Sequence, residues 1–95
     1  DLLSVENDVF VDIVAAYLDV LRDQSVVELN EGQVRVLTEQ LRASRDRFEV
    51  GDLTRTDVAQ SEARLATTQA NLRAARGQLI FSREGYRRIV GRAPG

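Results

Sequence analysis

The chain has 95 residues, 43% hydrophobic and 29% charged, with five aromatics, a single proline and a net charge of −2. That balance suits one small helical unit and leaves little room for a sheet. All basic residues are arginine, with no basic excess to mark nucleic-acid binding and no polybasic tract for a membrane surface; the lack of cysteine and histidine argues against disulfides, thiolate chemistry and a transition-metal site.

In chain order, Asp1-Leu2-Leu3-Ser4 has neither the basic region nor the apolar core of a signal peptide, and no stretch approaches the roughly 20 apolar residues of a membrane helix. The chain reads as an internal piece of something longer. A first helix is expected over about 3–50. Apolar or small residues recur at steps of three and four through Ile13, Ala16, Val20, Val27, Val34, Leu37, Leu41, Ser44 and Phe48, which is a heptad seam. Asp23 and Asn30 interrupt it; polar residues at such positions cost stability and fix register or partner choice. A second stripe, Phe10, Val14, Tyr17 and Leu21, makes the N-terminal part apolar on more than one face.

The periodicity breaks between Val50 and Thr54. Gly51 is the expected helix stop, because glycine tolerates the left-handed backbone that closes a helix. Thr54 can cap the next helix with Asp57 at its third position, a capping box in which Asp stands for Glu or Gln. Leu53 and Val58 flank the cap at the positions of a hydrophobic staple. The turn is thus expected over about 51–53 and a second helix over about 54–90.

The second seam is Val58, Ser61, Leu65, Thr68, Leu72, Ala75, Leu79, Ser82, Tyr86 and Ile89, with Gly91 and Pro94 as a stop signal. Folding the arms about the turn sets Phe48 by Val58, Leu41 by Leu65, Val34 by Leu72, Val27 by Leu79 and Val20 by Tyr86, and brings Asp23 beside Ser82. Two independent seams agree on one antiparallel register. Charge agrees too: residues 1–50 carry 11 acids and 5 arginines, residues 51–95 carry 4 acids and 8 arginines, so the acidic N-terminal end lies along Arg83, Arg87, Arg88 and Arg92. Pairs such as Glu31 with Arg35 and Glu84 with Arg88 add about 0.3 to 0.5 kcal/mol each. A further stripe, Ala59, Ala63, Ala66, Ala70, Ala74 and Gly77, either reflects helix propensity or admits a neighbouring helix. The fold class expected is all-α, a long coiled-coil-like antiparallel hairpin whose leftover stripes call for neighbours, so self-association is expected. Asp19 with Asp23, and Asp46 with Glu49, read as solvated charges on amphipathic helices. No catalytic constellation and no cofactor are expected.

Val9-Phe10, Ala16-Tyr17-Leu18-Asp19-Val20-Leu21-Arg22, Arg47-Phe48-Glu49-Val50-Gly51, Thr54-Arg55-Thr56-Asp57-Val58 and Tyr86 to Pro94 together resemble the TolC family of outer-membrane efflux and secretion proteins. The resemblance covers nearly the whole chain and is most specific in Arg-Phe-x-Val-Gly followed by Thr-Asp-Val. It implies a periplasmic hairpin of the first repeat, most like members serving type I secretion. In that family three protomers join a membrane β-barrel to a periplasmic helical tunnel, and the membrane strands and second hairpin are absent from this sequence.

By the same resemblance, Val50, Gly51, Asp52 and Leu53 form a tip that docks on a periplasmic adaptor, the membrane-fusion protein of a tripartite machine with an inner-membrane transporter. The family's Val-Gly-Leu tip motif has Asp52 in place of its leucine, with Leu53 one residue on. Thr56 and Asp57 match a Thr-Asp pair that helps hold the periplasmic entrance closed, so they are candidate gating residues, while the same Asp57 carboxylate is wanted by the cap. Two other readings stand beside this one: the coiled-coil hairpin of the adaptor itself, and a self-associating structural coiled coil without transport function.

Overall fold

The structure, a computed structural model, describes residues 2–92, with side chains from residue 7 to residue 91. It is an all-α antiparallel hairpin of two helices, α1 (Leu2–Glu49) and α2 (Arg55–Arg92), as the paired seams require. α2 ends at Arg92, between the Gly91 and Pro94 of the expected stop signal. Pro94 lies outside the described residues.

Both helices contribute to two compact units. The terminal unit takes the chain up to Val27 and from Ala75 onward; the turn unit is Glu28–Ala74.

In the terminal unit Ala16, Val20 and Val27 of α1 and Ala75 and Leu79 of α2 are buried, with Ile13, Tyr86 and Ile89 half-buried beside them. These are the seam positions, and the reason is the 3–4 spacing that returns each to the same helix face. Asp23 is buried among them at 5% exposure and accepts a hydrogen bond from the Ser82 hydroxyl, so the two expected polar interruptions do meet. The Tyr17 and Tyr86 rings approach to 6.0 Å between centroids at 47°. Phe10, Val14 and Leu21 of the second α1 stripe remain exposed, as do Val11, Leu18, Ile80 and Phe81. Asp19 with Arg22, and Glu84 with Arg87, pair along their own helices at 3.3 and 3.5 Å. Glu84 thus meets the arginine three residues on, one before the expected Arg88.

In the turn unit Leu41 and Leu72 are buried, and Val34, Leu37, Ser44, Val58, Ser61, Leu65 and Thr68 are half-buried. Two links between the helices mark the register here: Ser44 and Ser61 share a hydrogen bond of 3.2 Å, and Arg45 pairs with Glu62 at 3.4 Å. The second is an exposed ion pair worth at most about 1 kcal/mol. Arg42 bridges Glu39 and Asp46 along α1 at 3.0 and 3.1 Å. Burial dominates, and Leu72→Ala is expected to cost about 2 kcal/mol. Ala59, Ala63, Ala66, Ala70 and Ala74 are all exposed, so the hairpin does not use its small-residue stripe internally.

Candidate functional site

The turn begins where α1 runs out of carbonyl partners. Gly51 adopts φ +85°, its N–H donates to the Phe48 carbonyl at 3.0 Å, and the Asp52 N–H donates to the Arg47 carbonyl at 2.8 Å. That pair of bonds is a Schellman motif, with Gly51 at the left-handed position after the cap. A side chain at Gly51 would meet no neighbouring atom within 4 Å, so the demand for glycine comes from φ alone.

On the far side Thr54 and Asp57 close on each other. The Thr54 N–H donates to Asp57 Oδ2 at 3.0 Å, the Thr54 hydroxyl donates to the same oxygen at 2.9 Å, and the Asp57 N–H donates to Thr54 Oγ1 at 3.2 Å. The Thr54 carbonyl then accepts the first helical bond, from Val58 N–H at 3.3 Å. This is a complete capping box. The Thr54 N–H, then its hydroxyl, and the charge of Arg47 across the turn hold the Asp57 carboxyl below its ordinary value of 3.8. Among the described residues no hydrogen bond reaches Oδ1 of Asp57.

The exposure of the tip divides its residues by task. Val50 is 73% exposed, and Gly51, Asp52 and Thr56 are exposed as well. Leu53 and Val58 are half-buried, as the two ends of a staple would be. One contact was not legible beforehand: the Arg55 guanidinium stands over the Phe48 ring, 6.0 Å from its centroid. It joins the last turn of α1 to the first of α2 and leaves Phe48, an expected seam residue, 36% exposed. An arginine directly after a capping threonine carries no periodic signal, so only the folded turn reveals it.

Chemically the tip is a small, pre-shaped surface with one apolar knob, an exposed carboxylate and a backbone fixed from both sides. Among the described residues no group of acidic side chains could hold a metal ion, and no helix is long and apolar enough to cross a membrane. Against known proteins, residues 1–92 match the family model described as outer membrane efflux protein. The chain belongs to that family.

Two relatives of the efflux family chain carry the same message. Outer membrane efflux protein BepC of Brucella suis biovar 1 (strain 1330) is 39% identical over 94 residues, covering 99% of this chain and 21% of that protein. Alkaline protease secretion protein AprF of Pseudomonas aeruginosa is 32% identical over 88 residues, covering 93% of this chain and 18% of that protein. The chain therefore spans about a fifth of the length of the curated relatives it matches. No solved structure matches it. Membership agrees with the TolC-like resemblance read from the turn and the C-terminal motif, and it turns away from the adaptor-hairpin and purely structural readings. The efflux family is one of transport proteins rather than enzymes.

Proposed function

We propose that this efflux-family hairpin forms part of the periplasmic tunnel of a trimeric outer-membrane channel, and that its turn docks on a periplasmic adaptor that links it to an inner-membrane transporter. The observation that carries the reading is the turn itself, where a Schellman motif and a capping box together hold Val50 out at 73% exposure. A surface fixed before binding loses little conformational freedom on docking. The relative named for alkaline protease secretion makes protein export one reasonable cargo class.

Within this reading Val50 and Asp52 touch the adaptor, Gly51 shapes the turn, and Leu53 acts through its staple. In the full-length channel Val50→Asp is expected to lower adaptor recovery in a pull-down about tenfold with channel abundance unchanged. Unchanged recovery would remove the tip from the interface.

Gating is the second role, and the free Oδ1 of Asp57 favours it: the cap engages Oδ2, which leaves an oxygen to accept a bond from a neighbouring hairpin beside Thr56. Asp57→Asn in the full-length channel should raise leak conductance in planar bilayers. Unchanged conductance with a lower melting temperature would restrict Asp57 to the cap.

A further inference from the structure

Asp23 is the buried acidic residue of the terminal unit, and neither export nor docking makes use of it. At 5% exposure it sits in a seam otherwise built of Ala16, Val20, Val27, Ala75 and Leu79. Its carboxylate is nonetheless fully served. Ser82 of α2 donates to Oδ2 and Arg22 Nε donates to Oδ1 at 3.3 Å, while Gln78 of α2 lies near enough to favour the ionised form. The donors thus come from both helices, and Ser82 and Gln78 lie one helical turn apart on α2.

A carboxylate buried in this way tolerates few neighbours. Moving α2 by one heptad in either direction would bring Ala75 or Ile89 to the place of Ser82. Neither has a side-chain donor, so the ion would keep Arg22 of its own helix but lose the donor at the place of Ser82, a larger penalty than the loss of an ordinary apolar contact. The other polar seam contact, Ser44 with Ser61, discriminates less: the same shifts would set Ser44 by Thr54 or Thr68, which are polar too.

We propose that the Asp23–Ser82 layer is a register-selection device, which makes α1 accept α2 of its own chain in one register and reject the pairings shifted by one heptad. Its worth lies in excluding alternatives rather than in stabilising the hairpin.

The test uses introduced cysteines, for which the chain provides a clean background since it has none of its own. Gln24→Cys with Arg83→Cys reports the native register, by analogy with the Arg45–Glu62 pair on the same flank, and Gln24→Cys with Arg76→Cys reports a one-heptad shift. With Asp23 in place, oxidation should give the 24–83 bond within one chain. With Asp23→Leu, shifted 24–76 bonds should appear, at roughly a tenth of the product or more, while the melting temperature does not fall. The transposed pair Asp23→Ser with Ser82→Asp should restore the single 24–83 product. Asp23→Leu that stays in the 24–83 register overturns the proposal. So does Asp23→Leu that loses its helical signal, since the layer would then be a stabiliser and not a selector.

Discussion

At Thr54 and Asp57 the capping box is a set of three hydrogen bonds, and removing the hydroxyl loses two of them. Thr54→Ala is expected to destabilise the hairpin by about 1 kcal/mol in thermal unfolding followed by circular dichroism, with Thr54→Ser close to wild type. Gly51→Ala should cost a similar amount, about 1 kcal/mol, because its φ of +85° strains any side chain even with open space around it. Asp57 and Asp23 both have carboxyl groups held below 3.8, Asp57 first by the Thr54 N–H and Asp23 first by Ser82 against the opposing effect of burial. Each folded value lies below the unfolded one, so the ionised form is favoured by folding. Their contribution is present above pH 3.8 and is lost as pH falls through the lowered values. A melting-temperature profile against pH should therefore decline below about pH 4, and Asp57→Asn should flatten part of that decline. A profile of Asp57→Asn identical to wild type would contradict the cap's electrostatic role.

At the scale of the helices, the seams were legible because burial repeats with the heptad. Every seam position from Val58 to Ile89 is buried or half-buried, and Asp23 meets Ser82 as the register required. The left-handed Gly51 and the Thr54–Asp57 box were legible for a different reason, since each is a local conformation that few residue types can make. What escaped the sequence lacks both signals. The Arg55–Phe48 contact depends on how the two helix ends come together in three dimensions, and the separation into a terminal and a turn unit follows from the distribution of packing, which no single residue marks. Phe48→Ala should lower stability more than its 36% exposure alone suggests, because Arg55 loses its platform; Arg55→Lys at intact Phe48 should recover less than full stability.

For the molecule as a whole, the exposed side chains are what remains once the seams are satisfied. Phe10, Val11, Leu18 and Leu21 on α1, and Ile80 and Phe81 on α2, are 40 to 73% exposed, and the alanine stripe of α2 is uncovered. Such surfaces fit a hairpin that packs against others, and the molar mass of this chain by light scattering is expected to rise with concentration. Phe81→Glu should hold it nearer the monomer; a strictly monomeric wild type at all concentrations would speak against lateral packing. The proposed docking of the turn on an adaptor rests on family membership and on the tip's fixed geometry. The most direct measurement is photo-cross-linking in intact cells, with a photoreactive residue placed at Val50 or, as a control, at the exposed Val36 away from the turn. Cross-links to the adaptor from Val50 and none from Val36 are predicted. Cross-links from Val36 with none from Val50 would contradict tip docking and move the interface to the side of the hairpin.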